Sequence, residues 1–341
     1  MKTILVSIIS DQTIPNVLVI KEMYGLYDDL LFITSEYVEK KGLDKWIEMA
    51  CGLKADSVKR IKVVEDDLDD VRTKLANLDC ADTKYIINMS GGTKIMTIGV
   101  YEFFAKKGNK IIYVTFGKNL YKEIYPLTSA SETNIAYRLN LWEYLTAYGL
   151  YYEPELKLLK DCEFTNIFFK SFRSKKFDFA KEELIINSHS FEEINDRTYF
   201  SGAWFEEYVF HKIKNDFNLL PENIGLNVEL RRDATSVSHD NEYDVVFVYE
   251  NQLYVIECKA SVGNKNFAKD NLEKFMYKLA AITRDFGLKI NSSILTLSYL
   301  DSVLLGKMLG VEKRKNILGI RAMVDAKVFL KNESLKTVLM K

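Results

Sequence analysis

Residues 85–107 read YIINMSGGTKIMTIGVYEFFAKK, and this stretch predicts the architecture of the first part of the chain. The short apolar run at residues 85–89 is typical of a strand that is buried on both faces of a parallel sheet. A helical pattern at residues 93–107 follows directly after a turn that contains Gly91 and Gly92. The stretch therefore predicts a strand, a tight turn and a helix in direct succession.

The same alternation of strand and helix continues on both sides of this stretch. Further strands are predicted at residues 4–10, 30–34, 60–64 and 110–115, and further helices at residues 14–24, 36–50 and 66–78. This β-α-β-α rhythm favours an α/β fold with a mostly parallel, doubly wound sheet.

The pattern changes after about residue 126. Helices are predicted at residues 139–148, 204–214 and 271–286, and strands at 226–230, 243–249, 253–259, 292–297 and 322–324. Phe alternates with Lys and Arg within residues 150–195, which fits a helical connector with a solvated basic face or a surface that faces nucleic acid. We expect an α/β domain at residues 1–135, a mostly helical connector at 136–198 and a second α/β domain at 199–341.

Composition limits the classes of partner. The net charge is −1, whereas proteins that coat themselves with nucleic acid are usually strongly basic, so any such contact must be local and lie in a cleft. The four cysteines are scattered and predict reduced thiols in a cytoplasmic protein. The opening MKTILVSIIS is too short for a signal sequence, and we expect no membrane span.

The first candidate site is the turn Ser90-Gly91-Gly92-Thr93-Lys94 between a buried strand and a helix. Free N–H groups at a helix start favour an anion, and the ends of parallel strands are where open α/β sheets bind ligands. The polar loop at residues 10–16 leaves the same sheet edge. Neither a Walker A loop nor a dinucleotide-binding glycine pattern is present. Plain turn and helix-capping roles are the alternatives for both loops.

The second candidate site lies in residues 254–259, YVIECK, where Glu257 and Lys259 share one face of a strand. Asp244 begins the neighbouring strand and can approach Glu257 across a hairpin. Two adjacent carboxylates bind a hard divalent cation, and a lysine beside them can stabilise charge on a phosphate. Glu206 on the preceding helix could complete the set. The alternative is an exposed strand face with a cross-strand ion pair.

These residues resemble the PD-(D/E)XK nuclease superfamily: a helix glutamate at Glu206, then Asp244, then Glu257-Cys258-Lys259, with Tyr243 in place of the proline. The resemblance implies a restriction-endonuclease-like α/β domain that uses Mn²⁺ or Mg²⁺. It implies that Asp244, Glu257, Lys259 and Glu206 are catalytic. It also implies that Asp244, Glu257, Glu206 and the backbone carbonyl of Cys258 hold the metal.

The N-terminal part resembles a CARF domain, a Rossmann-like sensor of cyclic oligoadenylates, through the Gly-Gly-Thr-Lys signature at residues 91–94 and the loop at residues 11–16. The order of the two domains resembles the ancillary nucleases of type III CRISPR antiviral defence. The resemblance implies the following ligand contacts: Ser10, Asp11, Gln12, Thr13, Ile14, Pro15, Ser90, Gly91, Gly92, Thr93, Lys94 and Met96.

The same resemblance implies how such a protein works. It implies a homodimer whose two sensor domains form one pocket for cyclic tetra-adenylate as activator, and a movement that brings the nuclease domains into working geometry. Members of this family cut single-stranded RNA or single-stranded DNA, or nick duplex DNA such as a plasmid. A non-catalytic ligand-sensing regulator is one alternative, and a sensor that also degrades its own cyclic oligoadenylate is another.

A HEPN-type ribonuclease is a further rival, because Arg232 and His239 have the spacing of its motif. The active histidine of that class should lie on a helix, whereas His239 is predicted in a polar loop before the strand of Asp244.

We therefore expect His239→Ala to leave nucleic-acid cleavage largely intact, because the histidine takes no part in a carboxylate-based site. Initial cleavage rates of the variant and the wild type, measured side by side, check this. Complete loss of cleavage in a folded variant would favour the HEPN assignment.

Overall fold

The chain was analysed as a computed structural model that describes residues 1–54, 57–78, 82–115, 117–126, 132–153, 160–173, 199–232, 241–287 and 290–341. It divides into two compact units, the first built on Met1–Tyr151 and the second on most of the remaining chain. Within these residues, no helix is both long and apolar enough to cross a lipid bilayer.

A seven-stranded sheet forms the centre of the first unit. Its strands are β1 (Lys2–Ile8), β2 (Asp29–Thr34), β3 (Lys59–Lys62), β4 (Thr83–Asn88), β5 (Lys110–Val114), β6 (Leu120–Tyr125) and β7 (Glu132–Asn134). Their order across the sheet is β3-β2-β1-β4-β5-β6-β7. Strands β1 to β5 run parallel, which confirms the predicted sheet, and β6 and β7 extend it antiparallel.

The helices of the first unit are α1 (Ile14–Glu22), α2 (Glu36–Lys41), α3 (Leu43–Cys51), α4 (Leu68–Ala76), α5 (Lys94–Lys106) and α6 (Leu141–Thr146). The prediction of one continuous helix at residues 36–50 is wrong. Gly42 adopts φ 75°, a left-handed conformation that ends α2 and begins α3. The predicted helix start near Thr93 is confirmed, since the Thr93 hydroxyl accepts a hydrogen bond from the Met96 N–H.

The strand order places a topological switch point between β1 and β4. The chain proceeds outward from β1 through β2 to β3 and then returns to the other side of β1 as β4. The loops that follow β1 and β4 therefore diverge at the carboxyl edge of the sheet, where open α/β folds leave a crevice for ligands. Both predicted sensor loops lie at this point.

A mixed five-stranded sheet organises the second unit. Its strands are β8 (Ile224–Leu230), β9 (Asn241–Tyr249), β10 (Gln252–Lys259), β11 (Asn291–Thr296) and β12 (Ala322–Val324), in the order β12-β11-β10-β9-β8. Strands β8, β9 and β10 are antiparallel, and β10, β11 and β12 are parallel. Glu250 and Asn251 join β9 to β10 with φ of 51° and 59°, as a type I′ hairpin turn requires.

The helices of the second unit are α7 (Cys162–Arg173), α8 (Trp204–Phe217), α9 (Ala268–Ile282), α10 (Leu300–Leu304), α11 (Met308–Ile317), α12 (Ala326–Leu330) and α13 (Leu335–Leu339). Helix α9 begins three residues before the predicted start and ends at Ile282, ahead of a 3₁₀ turn at Arg284–Phe286.

Aromatic side chains form much of the core of the second unit. Tyr254 stacks on Phe247 across the β9–β10 pair, with ring centroids 4.7 Å apart. Phe168 and Phe169 of α7 are buried against Trp204 and Tyr208 of α8. These phenylalanines of the Phe-rich segment are thus core residues, and the basic residues after position 173 lie outside the described part of the chain.

Arg60 on β3 ties the sheet of the first unit to α3. Its Nε donates to Asp44 over 2.8 Å, and its Nη2 contacts Glu48. Asp44 and Glu48 are 2% and 5% exposed, so the guanidinium neutralises two carboxylates that have little contact with water. Removing the cation alone should therefore lower the free energy of unfolding considerably, because it leaves the two buried carboxylates without their positive partner.

Replacing Arg60 with Ala should lower the unfolding free energy by about 3 kcal/mol, the lower end of the range for broken buried pairs, because the guanidinium retains some contact with water. Urea unfolding followed by circular dichroism measures this. Arg72→Ala is the matched control: Arg72 also contacts two carboxylates, Asp69 and Glu102, but on an exposed surface, so little change is expected. Equal destabilisation by both substitutions would contradict the account.

Candidate functional site

One face of β10 brings charged side chains into an otherwise apolar sheet. The opposite face, formed by Tyr254, Ile256 and Cys258, lies in the hydrophobic core with α8. Strand β9 pairs with β10 so that Val245 is opposite Ile256, and the same register places Asp244 opposite Glu257. The predicted approach of these two carboxylates across a hairpin is therefore present in the structure.

The ammonium group of Lys259 lies among three oxygen atoms. Its Nζ is 2.8 Å from Glu257 Oε1, 2.9 Å from the backbone oxygen of Cys258 and 3.5 Å from Asp244 Oδ2. Two carboxylates and a carbonyl thus surround one positive charge. Oxygen ligands of these kinds are those that Mg²⁺ and similar hard cations prefer.

The backbone holds Asp244 in position, since the Cys258 N–H donates to Asp244 Oδ2 over 2.6 Å. Burial and the charge of Glu257 nevertheless raise the pKa of Asp244 to about 6. Burial alone would lower the pKa of Lys259, but the carboxylates of Asp244 and Glu257 raise it well above its usual value. Lys259 therefore remains charged and compensates the carboxylate pair.

Glu206 lies in the first turn of α8, within electrostatic range of this pair. Burial, followed by the charge of Asp244, raises the pKa of Glu206 to about 7. Among the residues described, however, no three His, Cys, Asp or Glu side chains are gathered closely enough to hold a metal ion. Glu206 is therefore a neighbour of the Asp244–Glu257 pair, and its predicted role as a metal ligand stays a prediction.

Glu257 provides the test of whether these residues fit a divalent cation. The residue is 2% exposed, and its Oε1 is completely shielded from solvent. The charge of this oxygen is compensated by the Lys259 ammonium, whose Nζ lies 2.8 Å away. A buried carboxylate oxygen that needs a cation, beside a second carboxylate and a carbonyl, fits a hard metal ion.

Helix α9 lines the same site, and sequence reasoning only partly anticipated it. The Lys259 ammonium lies 5.5 Å from the centre of the Phe275 ring, and Lys278 Nζ lies 3.7 Å from Glu257 Oε1. Phe275 and Lys278 are three residues apart, so one face of α9 is directed at the carboxylates. In the sequence, i, i+3 and i+4 spacing puts Lys274, Tyr277 and Lys278 on one helix face, which predicts either a phosphate contact or a solvated face. The spacing could not show which strand this face meets.

The second site is a cavity of about 320 Å³ at the switch point of the first unit. Six of the predicted ligand-contacting residues line it: Ser10, Asp11, Gln12, Gly92, Thr93 and Met96. The other six, which are Thr13, Ile14, Pro15, Ser90, Gly91 and Lys94, do not line this cavity. Thr13 is fully buried beneath the loop, and Lys94 is exposed at the start of α5.

Gly91 and Gly92 bring the two sensor loops together. A Cβ atom on Gly91 would lie 2.4 Å from the Ile8 carbonyl oxygen, and one on Gly92 would lie 2.4 Å from the Ile8 side chain. Gly92 also has φ 87°, which disfavours other residues. The close backbone approach that these glycines allow is made to the end of β1.

A chain of buried amides links the same loops. Asn88 Nδ2 donates to Asn16 Oδ1 over 2.8 Å, and Asn16 Nδ2 donates to the Ile8 carbonyl. The Ser90 hydroxyl donates to Asn88 Oδ1 over 2.6 Å and accepts from the Val114 N–H. Ser90 thus holds the loop in shape, a role that its place in a ligand-binding motif did not reveal.

The ends of β2 and β3 add residues to the cavity that sequence reasoning missed, namely Ser35, Tyr37, Val38 and Glu65. The hydroxyl of Tyr37 contacts the Asp11 carboxylate, which also pairs with Lys41 at 2.9 Å. The Ser35 hydroxyl donates to Glu65 over 2.6 Å. An N-cap serine at position 35 was the sequence signal available for this edge.

His239, the histidine of the rival HEPN interpretation, lies outside the described residues.

Comparisons with known proteins match a separate family model to each of the two units. The family model for the Card1 CARF domain matches residues 4–144, and that for the Card1-like endonuclease domain matches residues 193–336. No curated protein shows significant similarity to the sequence.

Solved structures share the fold at low sequence identity. Can2 from Sulfobacillus thermosulfidooxidans, solved in complex with cyclic tetra-adenylate, has a TM-score of 0.74 and 19% identity, covering 99% of each chain. Protein VC1899 from Vibrio cholerae has a TM-score of 0.74 and 17% identity, covering 99% of this chain and 97% of that one.

A type III CRISPR defence DNA nuclease activated by cyclic oligoadenylate has a TM-score of 0.61 and 16% identity, covering 87% of this chain and 45% of its own. The two matching family models together account for most of the sequence, and the chain therefore contains a CARF domain of the Card1 type followed by a Card1-like endonuclease domain.

Proposed function

We propose that this chain is a metal-dependent nuclease that cyclic oligoadenylate, specifically cyclic tetra-adenylate, activates in type III CRISPR antiviral defence. The observation that carries the proposal is the set of three oxygens around Lys259, in which Glu257 is 2% exposed. The order of a CARF domain before an endonuclease domain, and the activators of the related structures, support the control by ligand.

We assign Asp244, Glu257 and the Cys258 carbonyl as the groups that hold Mn²⁺ or Mg²⁺, in the manner of the PD-(D/E)XK nucleases. When bound, the metal supplies a Lewis acid at the scissile phosphate and lowers the pKa of a bound water. The carboxylates fix the position of the site because the β9–β10 register and the Cys258 N–H restrain them.

Lys259 places a permanent positive charge beside the reacting phosphate. Its ammonium is three-quarters buried and remains protonated because two carboxylates raise its pKa. We assign it to the stabilisation of negative charge that develops on the phosphate during cleavage. Glu206, at the edge of the same site, completes the predicted catalytic set.

The switch-point cavity is the proposed activator site. Free N–H groups at the start of α5 favour phosphate, and the exposed ring of Tyr37 offers a surface for adenine. At about 320 Å³ the cavity is near the lower limit for small-ligand sites, so one chain would enclose only part of a cyclic tetranucleotide. Two copies related by a two-fold axis would complete the pocket, which supports a homodimer.

The proposed substrates are single-stranded RNA, single-stranded DNA and duplex DNA that is nicked.

The free thiols Cys51, Cys162 and Cys258 fit a reducing compartment, and we place the protein in the cytoplasm. Degradation of the cyclic activator by the sensor domain itself would need a hydroxyl near the ligand. Of the candidates Ser10, Thr13 and Thr93, Ser10 and Thr93 line the cavity, whereas Thr13 is buried.

Glu257→Gln should lower cleavage of single-stranded RNA, single-stranded DNA or supercoiled plasmid about a hundredfold or more, because it removes the charge that binds the metal. The assay uses Mn²⁺ with and without cyclic tetra-adenylate, and EDTA should abolish cutting. Glu273→Gln, on α9 and paired with Lys269, is the control and should cut normally. Equal cutting by wild type and Glu257→Gln would refute the metal site, and cutting that ignores the activator would refute the sensor assignment.

Gly91→Ala should weaken cyclic tetra-adenylate binding about tenfold or more, because the added Cβ would overlap the Ile8 carbonyl and force the two loops apart. Isothermal titration calorimetry measures the affinity. Gly310→Ala is the control, since Gly310, like Gly91, lacks a positive φ but has open space around its Cβ position. Unchanged affinity in a folded Gly91→Ala protein would show that this loop does not form the activator site.

A further inference from the structure

Helix α9 carries a second cation to the carboxylate pair. Lys278 Nζ lies 3.7 Å from Glu257 Oε1, while the side chain remains 54% exposed. Lys259 is closer to the same oxygen, at 2.8 Å, and is only 25% exposed. The site therefore has one enclosed ammonium and one that faces solvent.

The ion pair of Lys278 adds little to folding stability. Pairs that involve a half-exposed lysine are weak, and Glu257 already has a closer partner in Lys259. The aliphatic stem of Lys278 is long and flexible, so its ammonium can turn from the carboxylate toward solvent. A phosphate that approaches the carboxylate pair would meet this ammonium at the mouth of the site.

The neighbouring residue, Tyr277, presents an aromatic ring at the surface. The residue is 48% exposed. Its hydroxyl accepts a hydrogen bond from Arg314 Nη1 of α11 over 2.7 Å, and the guanidinium carbon lies 5.7 Å from the ring centre. The ring is thus fixed by a second helix and still open to solvent.

The acidic residues Glu273 on α9 and Glu312 on α11 are each paired with a lysine of their own helix, Lys269 and Lys315. Their negative charge is therefore partly compensated close to Lys278 and Arg314. The result is a local basic and aromatic surface on a chain whose net charge is −1. Such a surface can bind nucleic acid even though the protein as a whole is not basic.

We propose that Lys278, Tyr277 and Arg314 form a subsite for the single-stranded nucleic acid that the endonuclease cuts. Lys278 binds a backbone phosphate beside the carboxylate pair, and the Tyr277 ring, held by Arg314, stacks against a base of the same strand. The subsite rests on the proposed nuclease function and assigns it a preference for single strands, because a base in a duplex is not free to stack on the ring.

Binding without cleavage tests the subsite directly. Labelled single-stranded RNA, single-stranded DNA and duplex DNA of one mixed sequence are titrated with the full chain, in EDTA and with saturating cyclic tetra-adenylate, by fluorescence anisotropy. Lys278→Ala should weaken single-strand binding about tenfold and reduce the slope of log affinity against log salt by about one. Lys278→Arg should restore both.

Substitutions of Tyr277 test the stacking of a base separately from the binding of a phosphate. Tyr277→Ala should weaken single-strand binding about tenfold and leave duplex binding little changed, whereas Tyr277→Phe keeps the ring and should bind normally. Loss on RNA, on DNA or on both supports the subsite and identifies the strand that it accepts. Lys122→Ala is the matched control, because Lys122 is a similarly exposed lysine that pairs with a glutamate, Glu132, but lies on β6 of the first domain, so affinity should be unchanged.

Kinetics separate binding from chemistry. With Mn²⁺, Lys278→Ala should raise KM for the single strand while kcat stays close to that of the wild type. Wild-type affinity and KM in both Lys278→Ala and Tyr277→Ala, with normal wild-type cutting, would overturn the subsite. Binding that Lys122→Ala weakens as much as Lys278→Ala would also overturn the subsite. A wild-type chain that binds strands through Lys278 and Tyr277 but never cuts them would refute the nuclease function alone.

Discussion

A carboxylate buried on the face of a β-sheet is costly unless an opposite charge meets it, and the second domain is arranged around this constraint. Glu257 is 2% exposed near the carboxyl end of β10, and the Lys259 ammonium lies 2.8 Å from its oxygen. The hairpin turn at Glu250 and Asn251 sets the register that brings Asp244 to the same place. The other face of β10 is covered by α8, so the charged groups open to one side only.

The parallel sheet could be predicted because most of its strands contain a continuous apolar run, as in the buried stretch of β1, and a helical pattern follows. The β6–β7 hairpin could not be predicted, since its residues are half-buried or exposed and show no strong hydrophobic periodicity. The break at Gly42 was also missed. A glycine within a helical pattern can continue the helix or adopt a left-handed conformation, and tertiary packing decides between them.

The candidate nuclease site was predictable to the extent that it depends on strand alternation and one short hairpin, which bring Asp244, Glu257 and Lys259 together. The approach of Lys278 and Phe275 depends on how α9 packs, and no local pattern specifies that. In the sensor domain, the sequence indicated the loops after β1 and β4. Tyr37 on α2 and Glu65 after β3 reach the cavity from the ends of two other strands, so only the assembled sheet reveals them.

The central claim is that the place now taken by the Lys259 ammonium marks where a divalent cation binds. Anomalous diffraction from crystals of the active protein soaked in Mn²⁺ tests this most directly. The account predicts a manganese peak bound by the carboxylates of Asp244 and Glu257 and by the carbonyl of Cys258, with the Lys259 ammonium displaced from among those oxygens. A protein that cuts nucleic acid with Mn²⁺, yet shows no peak at these two carboxylates and an unmoved Lys259, would contradict it.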